Sequence, residues 1–247
     1  MATWIVGDIH GCAEELAELV ERIDLQEGDQ LLSCGDLFHR GPDPVGVIDV
    51  LEGAQAKFIL GNHEMAVLSR LGIAPRSVDG TDRPELALSI DDLVPDDLAG
   101  DGRRVCDVSQ SDVKRIVNFL GTSSGYALSN DTVEGAGTTP KGDPWWLVHA
   151  GVEPGLPLFK QSRRILTSVR RLACPGQPYW YEAWRGPALV MFGHTAGKIP
   201  RAKRFGGRLV SLGLDTGCVY GGRLTAYSPE LDEFVAVPAH RKWVAKA

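Results

Sequence analysis

Apolar residues arrive along this chain in short runs, each stopping at a glycine and a polar residue. Trp4-Ile5-Val6 ends in Gly7-Asp8, residues 30–34 end in Gly35-Asp36, and residues 56–60 end in Gly61-Asn62. Short apolar runs bounded in this way are the pattern of buried strands. Between the first two, residues 12–23 set Leu16, Leu19, Val20 and Ile23 on one face at a helical period, with Glu14, Glu15, Glu18 and Glu21 largely opposite. That pattern predicts an amphipathic helix. Residues 44–51 read as a second helix and residues 64–71 as a third. The recurring unit of strand, glycine turn and helix predicts α/β structure with parallel strands over residues 1–70.

Residues 72–125 break this rhythm. The first part is rich in aspartate (Asp79, Asp82, Asp91, Asp92, Asp96, Asp97, Asp101) and interrupted by prolines and glycines, and residues 112–120 read as a helix. The segment is expected to be a mostly helical insertion or cap with a solvated acidic face, and its spacing is not that of a calcium loop. The strand pattern resumes at residues 145–149 and 188–193. Three further short strands are expected at residues 208–212, 223–227 and 233–237, with Gly221-Gly222 as a hairpin turn between the first two. Trp145, Trp146, Tyr179, Trp180, Tyr181 and Trp184 are expected in core or cap packing, with one or two able to stack on a substrate ring. Residues 240–247 read as a basic, mobile tail.

A length of 247 residues suits one domain, residues 1–247, carrying the insertion. The net charge of -6 argues against a general nucleic-acid binder, although Lys198, Arg201, Lys203, Arg204 and Arg208 make a local basic run. That run is either a solvated loop followed by an edge strand or an attraction for a polyphosphate or phosphopeptide. No apolar stretch approaches the ~18 residues of a membrane helix, and the N-terminus lacks the positive region of a secretory signal. The five cysteines are scattered and never in CxxC spacing, which excludes a disulfide framework and a structural zinc site. A cytoplasmic protein without nucleic-acid or membrane partners is expected.

The chemistry gathers at the strand ends. Gly7-Asp8-Ile9-His10-Gly11, Gly35-Asp36, Gly61-Asn62-His63-Glu64, His149-Ala150-Gly151 and Gly193-His194 each set a metal-ligand side chain directly after an apolar run. In open α/β sheets such ends converge on one crevice. Asp8, His10, Asp36, Asn62, His149 and His194 form an oxygen and nitrogen donor set without thiolates, suited to Mn²⁺, Fe²⁺, Zn²⁺ or Co²⁺. Two adjacent ions need a shared ligand, and Asp36, in the middle of the series, is the bridging candidate.

GDIHG, GDLFHRG, GNHE, HAG and GH, in this order, resemble the motifs of the calcineurin-like metallophosphoesterases, and their form is that of the phosphoprotein phosphatase branch. The block LDTGCVYGGRLTA, residues 214–226, resembles bacterial members, among them small serine/threonine or tyrosine phosphatases and diadenosine tetraphosphatases. The resemblance implies an α/β fold with a two-sheet β-sandwich between helices, in αββα layers. It implies one ion on Asp8, His10 and Asp36 and a second on Asp36, Asn62, His149 and His194, with Mn²⁺ the first choice and Fe, Zn, Co or Ni accommodated. Arg40 is the matching phosphate-binding arginine and His63 the matching general acid. A second phosphate-binding arginine is expected between the two later histidines, with Arg164 or Arg185 favoured over Arg163, Arg170 and Arg171. Asp215 is expected to shape the floor of the site.

The expected reaction is attack on phosphorus by a water activated between two ions. A serine/threonine, conceivably tyrosine, protein phosphatase or general phosphomonoesterase is the leading expectation, and a dinucleoside polyphosphate hydrolase is the alternative. One departure bears on the choice. Protein phosphatases of this branch carry an aspartate immediately before the arginine, paired with the general acid, whereas this chain carries His39. His63 then lacks that orienting carboxylate, which matters least for a phosphoanhydride or aryl ester with its better leaving group. A non-catalytic scaffold would require lost ligands, and none is missing from the motifs.

Overall fold

The computed structural model describes residues 1–70, 108–122 and 132–245. The element order is β1 (Thr3–Val6), α1 (Ala13–Ile23), β2 (Gln30–Ser33), α2 (Pro44–Gly53), β3 (Lys57–Phe58), α3 (Asn62–Arg70), α4 (Gln110–Thr122), β4 (Thr132–Thr138), β5 (Pro144–Val148), α5 (Arg163–Ser168), α6 (Trp180–Ala183), β6 (Leu189–Phe192), β7 (Arg201–Phe205), β8 (Arg208–Gly213), β9 (Arg223–Ser228) and β10 (Glu233–Pro238). They form two five-stranded sheets, ordered β10-β9-β1-β2-β3 and β4-β5-β6-β8-β7. β1, β2 and β3 run parallel, as the sequence predicts. So do β5, β6 and β8 in the second sheet.

Strand alternation sorts the apolar residues into layers. Ile5, Leu32, Trp145, Leu147, Leu189, Met191, Leu212 and Tyr227 point between the sheets and form the sandwich core. Their neighbours Trp4, Val6, Leu31, Leu224 and Ala226 point the other way, onto α1, α2 and α4. On the far side Val148, Val190, Phe192 and Val210 pack under Leu166, Trp180, Tyr181 and Trp184 from α5 and α6. The result is the helix–sheet–sheet–helix layering that the resemblance implies, with most of the aromatic cluster spent in packing.

Local chemistry sets the helix ends. Pro44 opens α2, and the Asp43 side chain accepts the Gly46 N–H at 2.7 Å, a cap that fixes where the helix starts. α4, from the C-terminal part of the expected insertion, buries Val113, Ile116, Val117 and Leu120 in the same layer as α1 and α2. The aspartate-rich residues 72–107 lie outside the described residues.

Three expectations change. β8 and β9 belong to different sheets, so Gly221-Gly222 does not turn a hairpin between them. The glycine pair that does turn one is Gly206-Gly207, with φ of 56° and 79°, joining β7 to β8. β7 falls in the basic run and is an edge strand, and β4 carries glycines at two of its seven positions. Neither shows apolar alternation, so neither is visible as a period.

The third change concerns the C-terminus. Residues 240–245 are docked: Trp243 and Val244 donate to the Val219 carbonyl, and the His240 ring contacts Glu14 and Glu18 at 3.1 Å each. These carboxylates raise the His240 pKa above its ordinary 6.5, the Glu18 contact most, and the same contact lowers that of Glu18 below 4.5. A histidine raised in the folded state stabilises fully below about pH 6.5 and loses its contribution as pH rises through the higher folded value. A glutamate lowered in the folded state contributes above about 4.5 and is lost as pH falls through its lower folded value. Amide-exchange protection at residues 243–244 should therefore be greatest between those limits and fall above neutrality, and His240→Ala should remove the alkaline limb.

Candidate metal centre

All six candidate ligands stand where parallel strands end. Asp8 and His10 follow β1, Asp36 follows β2, Asn62 opens α3 after β3, His149 follows β5 and His194 follows β6. The two sheets thus aim their parallel strands at one crevice of about 480 Å³, lined by Asp8, His10, Asp36, Arg40, Asn62, His63 and His194 among others. The backbone bends sharply to present them. His10, Asp36, Arg40 and His194 all adopt positive φ, at 50°, 54°, 80° and 61°. Such conformations cost about 1–3 kcal/mol each and gather where function requires them. Glycines supply the remaining room: a Cβ on Gly193 would overlap the Asp8 carboxylate, and one on Gly61 the Asp36 carboxylate.

The donors fall into two clusters, His10 with Asp36 and His63, and Asp36 with His149 and His194, the ligand atoms of each lying within 4.8 Å of one another. Asp36 belongs to both. Its Oδ2 is 3.8 Å from His10 Nε2, 3.9 Å from His63 Nε2 and 3.5 Å from His149 Nε2. Asp8 Oδ2 lies 4.0 Å from His10 Nε2, and both Asp8 oxygens accept the His194 N–H. Asn62 Oδ1 sits 3.1 Å from His149 Nε2 and 2.7 Å from His194 Nδ1. His149 Nδ1 faces the Cys34 carbonyl at 2.8 Å, a partner that leaves the Nε2 lone pair turned into the crevice.

These groups are almost without solvent, and the electrostatics register it. Burial raises the Asp8 pKa well above the usual carboxylate range, reinforced by Asp215 and Asp36. Burial also opposes ionisation of Asp36, but the imidazoles of His149, His63, His10 and His194 overcome it and hold that carboxyl well below its usual range. Burial drives His10 well below 6.5 and His194 down to about 3. His10 and His194 kept neutral and Asp36 kept ionised are protonation states that divalent ions require. His10 Nδ1 and His194 Nε2 are buried without a hydrogen-bond partner. With crowded acids beside imidazoles and an all oxygen and nitrogen donor set, the residues present fit a pair of divalent cations.

Glu64, from GNHE, is a structural member of the site that its sequence position alone did not single out. Its buried carboxylate accepts N–H bonds from Asp36 (2.8 Å) and Gly61 (3.0 Å) on one oxygen and from Leu37 (2.8 Å) on the other, clamping two ligand loops together. Burial, then the nearby Asp36, push its pKa up to about 7. Glu64→Gln keeps the shape but turns an NH₂ toward at least one of those donors. An unsatisfied buried N–H costs about 1–3 kcal/mol, so the urea midpoint should fall by the equivalent of about 1–3 kcal/mol.

Arg40 Nη1 donates to His10 Nε2 at 3.0 Å, with the guanidinium 5.8 Å from the Tyr220 ring centre. The His63 and His39 ring centres are 4.6 Å apart, so His39 abuts the general-acid candidate. Arg164 and Arg185 do not line the crevice. Arg164 faces a separate cavity, and Arg185 donates to the Glu182 and Trp184 carbonyls and covers Phe205. The arginines that do line it are Arg170, whose Nη2 donates to the His194 carbonyl at 3.2 Å, and Arg201, which donates to the Thr195 carbonyl at 3.2 Å. Tyr179, Tyr220 and Asp215 complete the wall. Elsewhere in the basic run, Lys203 pairs with Glu182 and Arg208 with Asp143.

Over residues 1–198 the sequence matches the calcineurin-like phosphoesterase family. It is 29% identical to a symmetrical bis(5'-nucleosyl)-tetraphosphatase of Erwinia tasmaniensis, covering 98% of this chain and 99% of the relative. It is 27% identical to an asymmetrical bis(5'-nucleosyl)-tetraphosphatase of Bacillus subtilis, covering 97% and 95%. A crystal structure of a protein proposed to be a diadenosine tetraphosphatase superposes with a TM-score of 0.63 at 26% identity, covering 96% of this chain and 93% of that one. The whole-length similarity is thus to tetraphosphatases and not specifically to the phosphoprotein phosphatase branch. No helix among the described residues is long and apolar enough to cross a membrane.

Proposed function

The chain belongs to the calcineurin-like phosphoesterase family, and we propose that within it this protein hydrolyses a phosphoanhydride bond of dinucleoside polyphosphates such as diadenosine tetraphosphate. The observation that carries this reading is the presence of Arg40, Arg170 and Arg201 along one crevice. Three guanidiniums exceed what a single phosphoryl group needs and suit a run of phosphates. His39 supports the same choice, because it stands at the position where protein phosphatases of this branch carry the aspartate that pairs with the general acid. The activities by which the relatives are named agree.

In this reading Asp8, His10 and Asp36 would hold one divalent ion, and Asp36, Asn62, His149 and His194 the other. Two such ions, once bound, supply an activated water nucleophile and neutralise charge on the phosphoryl oxygens. The protein does the rest. Arg40, beside Tyr220, presents its fork to the phosphoryl group under attack, while Arg170 and Arg201 hold the neighbouring phosphates. His63 delivers a proton to the departing oxygen. Glu64 and the left-handed turns keep the ligand loops in register, so the groups need little reorganisation during reaction.

The test is a substrate comparison on Mn²⁺-treated protein, with kcat/KM measured for diadenosine tetraphosphate and for phosphoserine, phosphothreonine and phosphotyrosine peptides. The tetraphosphate should exceed every peptide by at least about tenfold, equivalent to about 1.4 kcal/mol in the barrier. Two molecules of ADP would mark symmetrical cleavage, and ATP with AMP asymmetrical cleavage. A peptide preferred over the tetraphosphate would restore the protein-phosphatase alternative.

A further inference from the structure

A second cavity, also of about 480 Å³, lies beside the catalytic crevice and shares Arg170 with it. Its volume falls within the usual range for small-molecule sites, about 300–1,000 Å³. The wall between the two is built from the segment after α5. There the Arg171 guanidinium lies over the Tyr179 ring, 4.0 Å from its centre, and donates to the Gln177 carbonyl at 2.8 Å. Leu172 N–H bonds to the Pro178 carbonyl at 2.9 Å, closing the same loop on itself. Tyr179 faces the catalytic side and Arg171 the far side, so this stacked pair is a common partition.

The lining divides by chemistry. Arg164 and Arg170 bring positive charge; Ile165, Val169 and Leu172 offer an apolar wall; Glu153 offers a carboxylate. Arg170 lines both cavities and Arg164 lines the second, so an elongated anion held by Arg170 has a further guanidinium on the far side. The apolar wall suits the face of a base or sugar. A carboxylate repels phosphate but accepts hydrogen bonds from ribose hydroxyls or an exocyclic amine. We propose that this cavity is the subsite for the far nucleoside end of the substrate: the phosphate chain crosses at Arg170, and the nucleoside beyond it rests on Ile165, Val169 and Leu172. The inference rests on the function proposed above, since a phosphomonoester has no second end to place there. It also gives Arg164 a role at a distance from the metal ligands.

Ala173 provides a clean probe, because it lines this cavity, is exposed, and is absent from the lining of the catalytic crevice. Ala173→Trp and Ala173→Leu would each fill the space, by different volumes. Each variant is assayed on the Mn²⁺-loaded full chain with diadenosine tetraphosphate and with p-nitrophenyl phosphate, which occupies only the catalytic crevice. The expected result is a rise of at least about tenfold in KM for the tetraphosphate, with p-nitrophenyl phosphate turnover within about twofold of the parent. The small substrate thereby reports folding and metal loading in the same samples. If the parent cleaves the tetraphosphate and both variants cleave it equally well, the subsite is overturned while the proposed function stands. If the parent hydrolyses p-nitrophenyl phosphate but not the tetraphosphate, the proposed function fails and the subsite with it.

Discussion

Asp36→Asn is expected to lower kcat by about 10³-fold or more on every substrate, while the protein still folds. The reasoning starts from the geometry. Asp36 is the one carboxylate common to both donor clusters, and the surrounding imidazoles keep it ionised. An asparagine at this position can still accept the His63 N–H that Asp36 Oδ1 accepts at 3.1 Å. It carries no charge, however, and its NH₂ would point at imidazole nitrogens now arranged around an anion. The local turn survives and the capacity to share a ligand between two cations does not. Metal analysis after dialysis against Mn²⁺ should find fewer than two ions per chain in the variant. Loss of activity with two ions retained would mean that Asp36 acts in some other way.

His63→Asn is the second large effect, and its signature is a dependence on the leaving group. His63 is buried beside His10 and His39 in the catalytic crevice. General-acid catalysis contributes typically about 10²–10⁴-fold when the departing oxygen needs a proton. An alkyl phosphate needs it most, whereas a phosphoanhydride and a p-nitrophenyl ester both release stable anions and need it little. The variant should therefore lose about 10²-fold or more on a phosphoserine peptide, and less than about tenfold on both diadenosine tetraphosphate and p-nitrophenyl phosphate. Equal losses on all three would assign His63 to holding the site together instead of to proton delivery.

The parts of this protein that could be read in advance are those in which one-dimensional pattern and three-dimensional role coincide. Parallel strands buried on both faces must be short apolar runs, and the glycine-bounded polar residues after them lie at the C-terminal ends of the strands. That logic marks Asp8, Asp36, Asn62, His149 and His194. β4 and β7 carry no apolar period: β7 is an edge strand with largely exposed side chains, and β4 has glycine at two of its seven positions. Glu64 escaped as a site member because its task is to accept three backbone N–H groups from two loops distant in sequence. Its signal was present, a glutamate placed in the first turn of α3 beside two ligand candidates.

The second arginine could not be chosen from sequence. Arg163, Arg164, Arg170, Arg171 and Arg185 are equivalent as letters. Only the partition loop decides that Arg170 reaches the His194 carbonyl while Arg171 turns onto Tyr179. The C-terminal segment differs from its sequence expectation for a related reason. Its lysines and arginine read as solvated, but the docking is made by His240, Trp243 and Val244 against α1 and the Val219 carbonyl.

The central claim is that buried histidines and carboxylates at converging strand ends make a two-cation phosphoanhydride hydrolase. Its most direct measurement is a metal titration of the stripped protein with diadenosine tetraphosphate as substrate. Protein dialysed against excess chelator should be inactive, and stepwise Mn²⁺ should restore turnover with a break at two equivalents per chain. Undiminished hydrolysis in the presence of chelator would contradict the account.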